Sequence, residues 1–138
     1  MTLPESEITT PMSILLVDDD PFVLQAMNLL LEQAGVLHTL CAAGYAGAVT
    51  RMGEVEHIDV IVADVVLAGT MTGIDLSHMA IARFPRLAVV VITGDIHDHS
   101  REVPNRGVYL RKPFGGDELR AAIEQAIVAV PEPRPSPQ

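Results

Sequence analysis

The chain has 138 residues, 49% of them hydrophobic and 20% charged, which is typical of one globular domain with one core. Its net charge of −9 argues against a nucleic-acid-binding surface, which needs a basic patch. The single cysteine, Cys41, cannot form an internal disulfide, so a reducing cytoplasm is the expected compartment. The longest uninterrupted apolar run, Leu87–Ile92, is too short to span a membrane.

The chain begins with a polar stretch, a short apolar run and a segment of helical periodicity. Residues 1–12 are polar with two prolines and are predicted to be a flexible leader. A first strand is predicted over Ser13–Val17, and Asp20 and Pro21 are predicted as the N-cap and first residue of a helix. Gly35 is predicted to end that helix. Its apolar face is predicted from residues spaced by three and four, namely Phe22, Val23, Ala26, Met27, Leu30 and Ala34.

Three further elements are predicted before the middle of the chain. A weaker, edge-type strand is predicted over Val36–Cys41, and a short helix over Tyr45–Met52. The third strand, Ile58–Ala63, contains a β-branched apolar run typical of a strand buried on both faces. It leads directly into Asp64, so a carboxylate is predicted at the end of a buried strand.

The second half is predicted to contain two helices and two strands. The polar segment 95–106 supports at most one or two helical turns, and the proline-rich residues 131–138 are predicted to be a disordered tail. Pro85 stops the first of the two helices. In chain order the four elements are the helix Gly73–Phe84, the strand Leu87–Ile92, the strand Gly107–Leu110 and the helix Gly116–Val130.

Alternation of strands and helices predicts an α/β fold with a parallel sheet. Five strands and about five helices, the fourth reduced, suit a flavodoxin-like doubly wound sheet of order 2-1-3-4-5. In that order the first and third strands are neighbours, so Asp18, Asp19 and Asp64 are predicted to meet in one crevice.

Three neighbouring carboxylates repel one another, and a fold that keeps them together usually holds a hard cation such as magnesium. Two other strand ends carry complementary groups, the Thr93 hydroxyl and the Lys112 ammonium. A metal, a hydroxyl and an ammonium around one carboxylate are what a phosphoryl group needs during transfer. The nucleophile would be an aspartate, Asp64.

Four stretches, in this order, closely resemble the CheY-like receiver domain of bacterial two-component response regulators, over about residues 12–130. They are Leu15–Pro21, Asp64, Val91–Gly94 and Leu110–Phe114. The resemblance implies that a sensor histidine kinase or a histidine phosphotransfer protein passes a phosphoryl group to Asp64. It also implies Mg²⁺ as cofactor.

The resemblance assigns roles to seven residues. Asp19, Asp64 and the backbone carbonyl of Val66 would bind magnesium directly, and Asp18 would act through water. Lys112 would pair with the phosphoryl group, and it commonly precedes a cis proline in this family. Thr93 would be the switch hydroxyl and Tyr109 the switch aromatic.

The sequence departs from the receiver pattern at three places. Ala68 stands where the family often has proline, and the loop from Asp64 to Gly73 is one residue longer than usual. The 19 positions from Thr93 to Lys112 are fewer than typical, which is the reason for predicting a reduced fourth helix.

The expected function is that of a single-domain response regulator, not an enzyme. With no room for an output domain after Val130, it would signal to a separate downstream protein, without binding nucleic acid or membrane. One alternative is a magnesium phosphatase with an aspartate nucleophile. That class has Asp-x-Asp on its first strand and a cap domain, whereas this chain has its candidate nucleophile on the third strand and no room for a cap. The other is a degenerate receiver that binds partners without phosphate. The pattern His97-Asp98-His99 is better interpreted as a solvated loop than as a metal site.

Overall fold

The computed structural model describes residues 12–35, 38–67, 69–94 and 106–131. Nearly all of the predicted leader (residues 1–11), of segment 95–106 (95–105) and of the proline-rich tail (132–138) lies outside the described residues. So do the histidine pair near residue 98, Ala68 and the predicted start of the second strand at Val36. Nine elements follow one another in the part that is described: β1 Ser13–Val17, α1 Pro21–Gln33, β2 His38–Ala42, α2 Tyr45–Glu54, β3 Val60–Asp64, α3 Gly73–Arg83, β4 Ala88–Thr93, β5 Val108–Arg111 and α4 Gly116–Ala129.

The five strands form one parallel sheet in the order β2-β1-β3-β4-β5, so the predicted fold class and strand order are confirmed. Val17 at the end of β1 pairs with Ala63 of β3, and Asp64 pairs with Ile92 of β4. The carboxyl ends of β1, β3 and β4 therefore meet at one edge of the sheet, where doubly wound folds place their ligands.

The sheet divides the core into two layers, because successive side chains of a strand point to opposite faces. The central strands β3 and β4 are buried along their whole length. One layer, which includes Leu15, Ile61 and Val89, packs against α2 and α3. The other layer, which includes Ile14, Val60 and Val90, packs against α1 and α4.

Helix α1 begins as the sequence predicts, with the Asp20 carboxylate accepting a hydrogen bond from the Phe22 N–H at 2.9 Å. Its predicted apolar face is wrong at two positions, because the Phe22 side chain is 77% exposed and Ala26 is exposed as well. The buried stripe that packs on the sheet is instead Leu24, Met27 and Leu31. The predicted face is right at Met27, which is buried, and at Val23 and Leu30, which pack against the same core layer.

Helix α3 begins with two contacts that the sequence analysis did not identify. Thr72 and Asp75 form a capping box, in which the Asp75 N–H donates to Thr72 Oγ1 at 3.1 Å and the Thr72 N–H donates to Asp75 Oδ2 at 2.9 Å. Gly73 then passes so close to β3 that a β-carbon on it would lie 2.0 Å from the Asp64 carbonyl oxygen. The start of α3 is therefore packed directly on the backbone of Asp64.

Candidate phosphoacceptor site

Asp64 is the last residue of β3 and only 7% exposed. Its Oδ2 atom accepts a hydrogen bond from Lys112 Nζ at 2.7 Å, and its Oδ1 atom accepts one from the Val66 N–H at 3.1 Å. Lys112 follows β5, and its backbone N–H donates to the Thr93 carbonyl oxygen at 2.8 Å. Three strand ends thus fix the carboxylate and its ammonium partner.

Asp18 follows β1 and is 3% exposed. Its Oδ1 atom accepts a hydrogen bond from the Asp20 N–H at 2.8 Å, whereas Oδ2 is buried without a hydrogen-bond partner. Burial and the neighbouring Asp64 carboxylate raise the pKa of Asp18 to about 6, although the Asp20 N–H and the Lys112 charge partly oppose them. The ionised carboxyl of Asp18 is therefore disfavoured by its surroundings.

Lys112 is the cation that offsets these carboxylates. Its burial would lower the pKa of the ammonium, but the hydrogen bond and charge of Asp64 outweigh that effect. Asp18 and Asp20 add to the attraction, so the pKa of Lys112 is raised above its ordinary value. The ammonium is consequently fully charged at neutral pH.

Asp19 is the most exposed of the three carboxylates of the predicted set, because Asp18 and Asp64 are buried. Its side chain is exposed, and its Oδ1 atom lies against Gly44, 3.1 Å from where a β-carbon would stand. Within the described ranges, no group of three or more His, Cys, Asp or Glu side chains is gathered tightly enough to hold a metal ion. The structure therefore brings Asp18 and Asp64 together and leaves Asp19 at the rim.

These residues nevertheless fit a hard cation. Magnesium is usually held by one or two carboxylates, with waters and a phosphate completing its octahedral shell. Asp18 and Asp64 supply two adjacent carboxylates, and the Asp18 Oδ2 atom is buried without a partner. The donor set is all oxygen, as magnesium requires.

Thr93 and Tyr109, the predicted switch residues, lie on adjacent strands. Thr93 is the buried last residue of β4, and Tyr109 is half-buried on β5 beside Val91. Tyr109 packs against the core layer covered by α2 and α3, and alternation along β4 places Thr93 on the same face as Val91. The peptide bond between Lys112 and Pro113 is cis.

Two glycines that were not predicted as site residues, Gly44 and Gly73, each lie against an aspartate of the site. Gly73 stands one residue after Thr72, which caps α3. A glycine at the start of a helix that follows a strand-end aspartate was therefore a usable signal. Gly44 carries no comparable signal, because its neighbour Asp19 is 25 residues away in sequence.

The sequence profile of the response regulator receiver domain family matches residues 14–124, and the chain belongs to this family. Receiver domains of two-component systems are generally signalling modules that are phosphorylated on an aspartate with the help of Mg²⁺.

The chain is similar to two named regulators. It is 28% identical over 125 residues to the probable transcriptional regulatory protein TcrX of Mycobacterium tuberculosis. It is 31% identical over 121 residues to the transcriptional regulatory protein GlrR of Escherichia coli K12. The alignments cover 86% and 85% of this chain, but only 52% of TcrX and 26% of GlrR.

A solved receiver protein from Sinorhizobium medicae has the same fold, with a TM-score of 0.78 and 23% identity over 86% of this chain and 96% of that one.

Across the residues that the structure describes, no helix combines the length and the apolarity that crossing a bilayer requires.

Proposed function

We propose that Asp64 accepts a phosphoryl group from the phosphohistidine of a sensor histidine kinase or a histidine phosphotransfer protein, and that the chain then signals to a downstream protein. The observation that supports this most strongly is the 2.7 Å bond from Lys112 Nζ to Asp64 Oδ2. It places a full positive charge beside a strand-end carboxylate, where the oxygens of a transferring phosphoryl group carry negative charge.

The proposed transfer is a displacement at phosphorus. A carboxylate oxygen of Asp64 forms a bond to phosphorus while the bond from phosphorus to the donor imidazole nitrogen breaks, and the nitrogen keeps the electron pair. The Val66 N–H and Lys112 Nζ hold one oxygen of Asp64 each, so the carboxylate is oriented before the donor arrives. Lys112 then pairs with the new phosphoryl oxygens.

Magnesium, when bound, would neutralise the charge that the carboxylates and the phosphoryl oxygens share. In this proposal Asp19, Asp64 and the Val66 backbone carbonyl would bind the ion directly, and Asp18 would act through water. The buried, unpartnered Oδ2 atom of Asp18 supports a ligand beside it, because buried polar atoms are normally satisfied.

The proposed output switch is the pair Thr93 and Tyr109. A phosphoryl group on Asp64 would draw the Thr93 hydroxyl toward it, and Tyr109 would turn inward behind β4, which shifts a two-state equilibrium. The affected surface comprises β4, β5, α4 and segment 95–106. Of these four, only segment 95–106 lies mostly outside the described residues. We propose a protein as the downstream partner, since the charge of −9 disfavours direct contact with nucleic acid.

Labelling with acetyl phosphate and Mg²⁺, followed by intact-mass measurement, tests the proposal. The wild-type protein should gain one phosphoryl group, and Asp64→Asn should gain none because an amide is nearly isosteric but not nucleophilic. Asp59→Asn is the matched control, because Asp59 immediately precedes the opposite end of β3; this variant should be labelled normally.

Each alternative function predicts a different result in the same assay. Continuous release of inorganic phosphate would identify a phosphatase, and an absence of any label would identify a degenerate receiver. A stoichiometric label on the Asp64→Asn variant would place the phosphoacceptor at another residue and overturn the assignment.

A further inference from the structure

Gly44, the residue before α2, lies against the carboxylate of Asp19. Its backbone has φ 103°, and a β-carbon built on it would lie 3.1 Å from Asp19 Oδ1. This distance is shorter than ordinary van der Waals contact, so a side chain at position 44 would force its neighbour to move by a few tenths of an ångström. The missing side chain of Gly44 thus leaves the space that Asp19 occupies.

The backbone on the Gly44 side of this contact is held in place. Two residues earlier, the carbonyl oxygen of Ala42 accepts a hydrogen bond from the N–H of the buried Asp18 at 3.2 Å. The Gly44 carbonyl oxygen accepts the first helical hydrogen bond of α2, from the Ala48 N–H at 3.1 Å. Because the turn is fixed at both ends and Asp19 is exposed, a new β-carbon would displace Asp19 and not the turn.

The start of α2 also favours a carboxylate at this place. Gly44 provides no side-chain cap, and the first turn of α2 contains no acidic residue. The N-terminus of a helix carries a partial positive charge that attracts carboxylates. Asp19, from the loop after β1, lies where such a charge is stabilising.

We propose that Gly44 is a positioning residue for magnesium binding, because the turn before α2 fixes where the Asp19 carboxylate meets the ion. The inference rests on the proposed role of Asp19 as a magnesium ligand. Magnesium demands near-octahedral ligands at about 2.0–2.1 Å, so a displacement of a few tenths of an ångström spoils the geometry. Loss of a group that orients a metal ligand typically weakens metal binding about 10- to 100-fold.

Calorimetric titration of the full chain with MgCl₂, without a phosphoryl donor, tests the inference. Gly44→Ala and Asp19→Ala should each weaken binding by about tenfold or more, and the double variant should bind no more weakly than Asp19→Ala alone. Gly35→Ala is the matched control, because Gly35 also has a positive φ of 91° but nothing within 4 Å of its β-carbon position. It should bind magnesium like the wild type.

Two results would separate failure of this inference from failure of the proposed function. If Asp19→Ala weakens binding while Gly44→Ala does not, or if the two losses simply add, Gly44 does not act through Asp19 and the inference is wrong. If the wild type binds no magnesium, the proposed metal site is wrong. If Asp19→Ala binds magnesium normally, Asp19 is not a ligand, and both its proposed role and this inference are wrong.

A measurement on the unsubstituted residue covers the case in which Gly44→Ala does not fold. The amide resonance of Gly44 in the wild-type protein should shift as MgCl₂ is added, with the same affinity as the calorimetric signal. In Asp19→Ala the shift should be lost. A Gly44 resonance that stays in place at magnesium saturation would overturn the inference.

Discussion

Asp18 is the residue at which burial and charge oppose each other most directly. Its Oδ2 atom is buried without a partner, and its pKa is raised from the ordinary 3.8 to about 6. Between these two values the folded protein binds more protons than the unfolded chain, so the free energy of unfolding decreases as the pH rises through this window. Ionised Asp18 is thus retained at a cost to stability, as expected for a ligand-binding group.

We predict that Asp18→Asn stabilises the metal-free protein at pH 7 by about 2 kcal/mol. Asparagine cannot ionise, yet its side-chain oxygen can still accept the hydrogen bond from the Asp20 N–H. The gain should shrink as the pH falls and should vanish below about pH 4. Urea unfolding in chelator at several pH values measures it.

Asp20→Asn is the control for this prediction, because asparagine caps a helix as well as aspartate does and Asp20 is exposed. It should not give the stabilisation that Asp18→Asn gives at pH 7. Equal stability of wild type and Asp18→Asn at pH 7 would contradict the assigned environment of Asp18.

The coupling among the three charges of the site gives a second prediction. Lys112 lowers the pKa of Asp18 and Asp64 raises it. Lys112→Met should therefore raise the pKa of the Asp18 carboxyl above about 6, and Asp64→Asn should lower it toward its ordinary value. Carboxyl carbon chemical shifts followed against pH measure both changes.

The neighbouring Arg111 is exposed, so Arg111→Met serves as a matched control that removes one positive charge next to the site. It should change the pKa of Asp18 much less than Lys112→Met does. Movement of the pKa in the same direction for Lys112→Met and Asp64→Asn would refute the assigned charge arrangement.

At the scale of the element, the start of α3 is tied to β3 through Gly73. The Gly73 N–H donates to the Val65 carbonyl oxygen at 2.9 Å, and the Ser77 hydroxyl donates to the Gly73 carbonyl oxygen at 2.8 Å. A β-carbon at Gly73 would meet the Asp64 carbonyl oxygen at 2.0 Å, which only a shift of backbone can relieve.

We therefore predict that Gly73→Ala destabilises the protein by about 3 kcal/mol. Gly53→Ala is the matched control within a helix, because nothing lies within 4 Å of the Gly53 β-carbon position. Alanine favours the helical state over glycine, so that control should stabilise the protein by about 0.5–1 kcal/mol. Chemical denaturation of both variants measures the effects, and a cost at Gly73 no larger than at Gly53 would contradict the close contact.

The elements show what the sequence can and cannot predict. Strands such as β4 are hydrophobic on both faces. Their existence and their order along the chain therefore follow from the pattern of apolar runs in the sequence. The exact edges of the apolar face of α1 do not, because α1 is rich in apolar residues and only packing on the sheet buries Leu24 and Leu31 and leaves Phe22 exposed. The bounds of β3 also differ from the prediction. The predicted strand starts at Ile58, which is apolar and buried, but the observed strand is Val60–Asp64.

The candidate site divides in the same way. Asp64 ends β3, Lys112 follows β5, and both carry charge, so their approach at one sheet edge was predictable from strand order. The contacts of Gly44 and Gly73 depend on how closely separate backbone segments approach each other. The amino-acid sequence does not contain these distances. The roles of Asp64, Lys112, Thr93, Tyr109 and the magnesium ligands stay predictions.

At the scale of the whole molecule, the acidic charge and the metal site predict separate effects of salt. With a net charge of −9, the folded chain repels itself, and any salt relieves part of that repulsion. If magnesium binds as proposed, it should add a specific effect, because the crevice that would hold it exists in the folded state and not in the unfolded chain. A ligand that binds only the folded state and is present at 100 times its dissociation constant adds about 2.7 kcal/mol to the free energy of unfolding.

We predict that MgCl₂ at millimolar concentration raises the melting temperature of the unphosphorylated protein above that in NaCl of equal ionic strength with chelator. Asp19→Ala removes only one negative charge, so the net charge of the chain stays strongly negative and the response to NaCl should be kept. The additional response to magnesium should be lost. Equal melting temperatures in the two salts for the wild type would count against a metal site. A magnesium response that survives in Asp19→Ala would instead place the ion on Asp18 and Asp64 alone, which are the two carboxylates that the structure already brings together.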